Sequence, residues 1–159
     1  MRNKLIFRAE GNAEIGLGHL YRLLGLHSIL KNSEAYFVTS SESLTSFFPE
    51  TINHIEIPMN TDSELVWLAD TFDPADCILI TDGYDFDYAY QQKVKEFGFN
   101  LIAVDDFIKE NYAADIILNP APIDASEKFN SKECYGIPYA LLRKEFIQEA
   151  QKSRHIKEI

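Results

Sequence analysis

The chain predicts an α/β fold, a Rossmann-like parallel sheet with helices on both faces. Two observations carry this expectation. Short apolar runs alternate with segments of helical spacing along most of the 159 residues, and strands spaced by helices of that length pair in parallel. The first apolar run is also followed by a glycine-bearing turn and a helix, whose N-terminus suits an anion. The length fits one domain with a real core, and 46% apolar and 25% charged residues are ordinary for a globular protein.

The elements follow in order. The first strand is expected at Lys4–Arg8, and a helix starts near Gly18 and carries leucines at helical spacing over Leu20–Leu30. Strands are expected at Ala35–Thr39, His54–Ile57, Cys77–Thr81, Leu101–Val104 and Ile116–Leu118. Helices Ser63–Thr71 and Phe86–Phe97 separate the later strands. Asn119–Lys132, with Pro120 and Pro122, reads as a loop, and Cys134–Pro138 as a short extended piece. Tyr139–Lys152 predicts a helix with Leu142, Phe146 and Ala150 on one stripe. Residues 1–150 are read as the Rossmann-like domain, and the polar, basic residues 151–159 as the start of a linker.

Charge and composition narrow the partners. A formal net charge of −10 argues against a broad nucleic-acid footprint, so a phosphate ligand needs a local positive pocket. The basic residues are scattered apart from Lys152, Arg154, His155 and Lys157. No apolar run reaches membrane-spanning length, and no signal pattern opens the chain. Cys77 and Cys134 form no CxxC pair, and reduced, buried thiols in a cytoplasmic protein are the simplest reading. The histidines at 19, 27, 54 and 155 lack zinc-ligand spacing, so no metal is expected; His27 and His54 read as structural. The pair Asp105-Asp106 either caps a turn or suggests a metal, and the turn is favoured.

The most informative stretch is Arg8 to Arg22. Gly16 and Gly18 permit a sharp turn and a close approach of a ligand to the main chain. His19 sits on the first helical turn, with Arg22 one turn later on the same face. In open parallel sheets the ligand crevice lies beyond the carboxyl ends of the strands. That rule sets the loop at 9–18, Asp82-Gly83-Tyr84 and Asp105-Asp106 along one edge. A helix N-terminus and Arg22 both disfavour an imidazolium, which suits His19 to act as a neutral base. Arg22 serves either the ligand or a surface ion pair.

Four blocks resemble a known family. They are Arg8-Ala9-Glu10 with Ile15-Gly16-Leu17-Gly18-His19 and Arg22; Thr81-Asp82-Gly83-Tyr84-Asp85-Phe86-Asp87; Val104-Asp105-Asp106 with Ala114 to Pro120; and Tyr135 to Phe146. In this order they are similar to the UDP-2,4-diacetamido-2,4,6-trideoxy-β-L-altropyranose hydrolases of pseudaminic acid biosynthesis, a group often placed beside spore-coat polysaccharide proteins. Glu10 stands where the family usually has aspartate.

The resemblance implies a GT-B-type fold, of which this chain would be the N-terminal half. A C-terminal domain absent here would hold most of the uridine and diphosphate contacts. It implies hydrolysis of a UDP-sugar by water attacking the anomeric carbon, with inversion, and without metal or cofactor. His19 is then the catalytic base. The turn at Gly16 and Gly18 and the helix N-terminus then meet the diphosphate, Arg22 is a substrate-binding candidate, and Glu10, Asp82, Tyr84 and Asp106 are candidates for the sugar's hydroxyl or N-acetyl groups. Tyr139, Leu142 and Phe146 would pack in the core or between domains. Two other classes stay open: a GT-B glycosyltransferase using a UDP-sugar donor, and a non-catalytic sugar-binding domain.

Overall fold

The computed structural model describes residues 4–30, 33–61, 63–107, 111–120 and 131–152. Its elements are β1 (Lys4–Ala9), α1 (Gly18–Ile29), β2 (Ala35–Thr39), β3 (Asn53–Glu56), α2 (Glu64–Thr71), β4 (Cys77–Asp82), α3 (Tyr88–Glu96), β5 (Asn100–Val104), β6 (Ile116–Asn119), β7 (Lys132–Tyr135) and α4 (Lys144–Ala150). Among the described residues the strands form one seven-stranded sheet in the order β3-β2-β1-β4-β5-β6-β7, and every pairing is parallel. The Rossmann-like expectation holds.

Strand parity divides the core into two layers. Along β1, Leu5, Phe7 and Ala9 join Leu20 and Leu23 of α1, while Ile6 joins Leu65 and Leu68 of α2. The same alternation runs through β4, where Ile80 faces the α1 layer and Cys77 and Leu79 face the layer of α2 and α3. Asp82 has the parity of Ile80. The sheet therefore has α1 on one face and α2 and α3 on the other, and Phe7 stacks on Phe37 at 4.7 Å in the α1 layer. Each fully buried leucine or phenylalanine contributes roughly 1.5–3 kcal/mol by removal from water.

Local chemistry starts the helices differently. Ser63 Oγ accepts the Val66 N–H at the start of α2, and Asp87 Oδ1 accepts the Tyr90 N–H at 2.8 Å at the start of α3. At α1 the N-cap is Leu17, whose side chain caps nothing. The first N–H groups of that helix are left to whatever approaches it.

The C-terminal segment departs from its expectation. Ile137–Tyr139 form a short 3-10 turn, Arg143 is extended, and α4 covers only Lys144–Ala150. Leu142 and Phe146 have helical spacing, but Leu142 lies outside the helix. Tyr139, Leu142 and Phe146 are 42%, 50% and 52% exposed, so they are not core within this chain. The extended piece falls at Lys132–Tyr135 as an edge strand, slightly before its expected position. Cys77 is buried as expected, and Cys134 is only half-buried. Most of the loop expected at Asn119–Lys132 and of the linker at 151–159, with Arg154, His155 and Lys157, lies outside the described residues. No helix of the described residues is long and apolar enough to cross a membrane.

Candidate active site

The site grows from the sheet's switch point. β1 and β4 are neighbours, but the chain leaves β1 through α1 toward β2 and leaves β4 through α3 toward β5. Between such strands a crevice opens at the carboxyl ends. Ala9 pairs with Asp82 there, so strand register alone brings the end of β4 beside the turn that follows β1.

That turn is built from its own polar groups. Asn12 Oδ1 accepts the N–H groups of Glu14 and Ile15 at 2.9 and 3.0 Å, and Asn12 O accepts the Gly16 N–H at 2.9 Å. Gly16 has φ +79°, which a residue with a Cβ rarely adopts. Gly11 has a different need, since a Cβ there would stand 2.5 Å from Leu20 Cδ1. Gly18 meets nothing within 4 Å, so open space surrounds the first residue of α1.

Glu10 fastens the turn to the segment after β2. Its carboxylate accepts the Ser40 N–H, the Ser40 hydroxyl at 2.8 Å and the Ser43 hydroxyl, and pairs with Arg8. Burial disfavours its charge, but Arg8 and the two serines outweigh that and hold the carboxyl below its ordinary 4.5. Beneath it, Arg8 makes a two-pronged pair with Glu64 at 2.8 and 2.9 Å, and Tyr90 Oη donates to Glu64 at 2.7 Å. Burial opposes the Arg8 charge, yet the bonds to Glu64 and the field of Glu10 raise its pKa further. Burial and Glu64 likewise push the Tyr90 hydroxyl up.

The reactive corner lies on the α1 side. Asp82 is fully buried, and its Oδ1 is 2.8 Å from Nδ1 of the buried His19. Arg22 Nε donates to Asp82 Oδ2 at 2.7 Å, its Nη2 to Asp82 Oδ1 and its Nη1 to Asp106 Oδ1. A carboxylate cannot donate, so the His19–Asp82 contact requires the proton on Nδ1. The 3.2 Å approach of Arg22 Nη2 to the same nitrogen is then a contact only. This tautomer leaves Nε2 with its lone pair free to accept a proton. Burial opposes the Arg22 charge, but the bonds to Asp82 and Asp106 overcome it and raise its pKa.

Around His19 lies a cleft of about 70 Å³ lined by Glu10, Ile15, His19, Gly83, Tyr84, Asp85 and Phe86. The Tyr84 ring meets the His19 ring edge-on at 5.0 Å. A larger groove of about 320 Å³ lies elsewhere, between α1, the segment 47–52 and Arg143; neither His19 nor Asp82 lines it. The chemistry of the small cleft outweighs the size of the large one.

The structure thus brings Glu10, His19, Arg22, Asp82, Tyr84 and Asp106 to one corner, with Gly16 and Gly18 on its rim. Asp82 and Arg22 bond to each other there, and Asp82 also holds His19. Asp105 turns away from them: Oδ1 accepts the Phe107 N–H at 3.0 Å and Oδ2 accepts the Tyr112 hydroxyl at 3.1 Å. Gly11, Ser40, Ser43, Glu64 and Tyr90 escaped the sequence reading, because lone serines and a helix-start glutamate carry no local signal. The His19–Asp82 pair had a signal in the parity of β4 combined with the place of β4 beside β1. Among the described residues no group of three or more His, Cys, Asp or Glu side chains is placed to hold a metal ion.

No protein-family model matches the chain. The chain is 30% identical over 163 aligned positions to the UDP-2,4-diacetamido-2,4,6-trideoxy-β-L-altropyranose hydrolase of Campylobacter jejuni. The alignment covers 97% of this chain and 57% of that hydrolase. The relative that this chain matches is named for the activity of the hydrolases that the chain's motifs resemble. The chain spans little more than half the length of that relative, and nearly all of its own length is matched.

Proposed function

We propose that this chain forms the catalytic-base side of a UDP-sugar hydrolase acting on a 2,4-diacetamido-2,4,6-trideoxy hexose in nonulosonic acid synthesis. The observation that carries the reading is the buried His19–Asp82 pair at the switch point, with Nδ1 committed to the carboxylate. Nε2 takes a proton from water as the water attacks the anomeric carbon. The C1–oxygen bond to UDP breaks, and the configuration at C1 inverts, as in other base-assisted single displacements at a sugar. UDP is a stable leaving group and needs little protonation. The uncapped N-terminus of α1, open at Gly18, meets the negative charge that builds on the diphosphate.

Arg22 is a positioning residue in this scheme, because its guanidinium is spent on Asp82 and Asp106 and fixes the carboxylate that holds His19. Glu10 likewise shapes the turn through Ser40 and Ser43. Uridine and the outer diphosphate contacts belong to a second domain, and the nucleotide-sugar substrate makes the cytoplasm the working compartment.

Proton NMR of UDP-2,4-diacetamido-2,4,6-trideoxyaltrose with the full-length gene product carrying this sequence tests the reading. UDP and a free sugar of initially inverted configuration are expected, and His19→Ala should remove most turnover while circular dichroism stays unchanged. An untouched substrate that is consumed once an acceptor is added would transfer the site to a glycosyltransferase.

A further inference from the structure

One exposed aromatic ring lines the His19 cleft and a second stands beside it, and the core makes no use of either. Tyr84, in the loop after β4, is 59% exposed, and Phe107, in the loop after β5, is 60% exposed. Their ring centroids are 6.0 Å apart, and Tyr84 lies against His19. Ile15, 46% exposed, lines the same cleft from the turn after β1. Two loops therefore bring apolar side chains to one opening next to the proposed base, and a third loop sets Phe107 beside Tyr84.

The two arginines nearby are already occupied. Arg8 pairs with Glu64 and Glu10, and Arg22 pairs with Asp82 and Asp106. Apart from the Asp85 carboxylate, a ligand entering this opening meets apolar side chains and no free cation among the described residues, which suits a sugar with apolar substituents. The hexose assigned above carries a methyl on each acetamido group and a third at C6. N-acetylglucosamine has a single acetamido methyl and a hydroxyl at C6.

We propose that Ile15, Tyr84 and Phe107 form an apolar rim that selects a methyl-rich, 6-deoxy diacetamido sugar over hydroxymethyl sugars. The proposal rests on the sugar-nucleotide reading above and adds the residues that set its specificity. Phe107 is the informative member, because it touches neither the His19–Asp82 pair nor the turn that builds α1.

The test combines kinetics with ligand-observed NMR on the full-length gene product. With UDP-2,4-diacetamido-2,4,6-trideoxyaltrose, Phe107→Ala should lower kcat/KM about tenfold, mostly through KM, the scale of one lost methylene-sized contact in an apolar pocket. Ile15→Thr keeps the side-chain branching, removes apolar surface, and should shift in the same direction. Saturating the aromatic protons of the protein should then mark the three sugar methyls more strongly than the ring protons, and Phe107→Ala should reduce that contrast.

Unchanged kcat/KM in both variants, or sugar ring protons marked as strongly as the methyls, overturns the rim. Absence of any saturation on the sugar overturns it too. The two proposals fail separately. Methyl-selective saturation without UDP release keeps the rim and removes the hydrolase, and normal UDP release without methyl contact does the reverse.

Discussion

His19 has two partners within reach of one nitrogen, and the choice between them decides its chemistry. A proton on Nδ1 satisfies Asp82 at 2.8 Å and frees Nε2, while a proton on Nε2 would leave the buried Asp82 oxygen facing a lone pair. Asp82→Asn tests this directly, because an amide can donate to Nδ1 and so stabilise the unproductive tautomer. In the full-length gene product, kcat for UDP release should fall about 10²–10⁴-fold with KM little changed. The urea midpoint must be measured alongside, since Arg22 also loses a carboxylate; a variant with near-normal kcat would remove Asp82 as the residue that orients the base. A second histidine adds a pH dependence to stability. His27 lies edge-on to Phe7 and Phe37 at 5.8 and 5.7 Å, and burial pushes its pKa below the ordinary 6.5. On acidification the unfolded chain therefore takes up this proton first, so stability falls as the pH drops through 6.5 and levels off once the folded imidazole titrates. His54 is lowered in the same direction by burial. Urea midpoints at several pH values should follow that slope, and His27→Leu should reduce it, with His54 keeping the remainder.

At the scale of elements, glycines with similar sequence signals have different duties. Gly16→Ala forces a side chain into φ +79° and should cost about 1–2 kcal/mol. Gly18 sits in open space at the first position of α1, so Gly18→Ala should leave stability unchanged or raise it by up to about 1 kcal/mol. If its bareness serves a ligand, the same substitution weakens UDP-sugar binding in a fully folded protein. A stability loss larger than that of Gly16→Ala would contradict the assignment. Gly25 is different again, because a Cβ there would meet the Leu142 carbonyl oxygen at 2.8 Å. Gly25→Ala should cost about 1–3 kcal/mol and raise hydrogen exchange in the segment after β7. Only part of this was legible in the sequence. β1, β2, β4, β5 and β6 are near-continuous apolar runs, the mark of strands buried on both faces, and they fell within a residue or two of their expected bounds. β7 reads Lys-Glu-Cys-Tyr, an edge strand without an apolar run, and α4 was overextended because leucine and phenylalanine four apart imitate a helical stripe. The glycine turn was legible as a turn, with Gly16 at φ +79°. The partner of His19 lay 63 residues away, and only strand order and parity could join them.

At the scale of the whole molecule, the fold and the site differ in completeness. The sheet carries helices on both faces, two apolar layers and a chain of ion pairs from Glu64 through Arg8 to Glu10. Such a unit should unfold cooperatively by itself. The His19 cleft is about 70 Å³, whereas pockets that enclose small ligands usually run to about 300–1,000 Å³. A nucleotide sugar needs walls that the described residues do not supply at this opening. In the proposed scheme two uses of binding energy are thereby separated: His19 and its carboxylate partner Asp82 are preformed here, and most of the grip on the nucleotide is expected from outside these residues. The 159-residue chain should therefore show one cooperative urea transition, yet turn over UDP-2,4-diacetamido-2,4,6-trideoxyaltrose at least about 10²-fold more slowly than the full-length gene product, because misplaced reacting groups alone cost that much. A denaturation curve on the chain and UDP-release assays on the chain and the full-length gene product supply both numbers. Comparable rates would mean that this corner closes around its substrate unaided, and would return the nucleotide contacts to the turn at Gly16–Gly18.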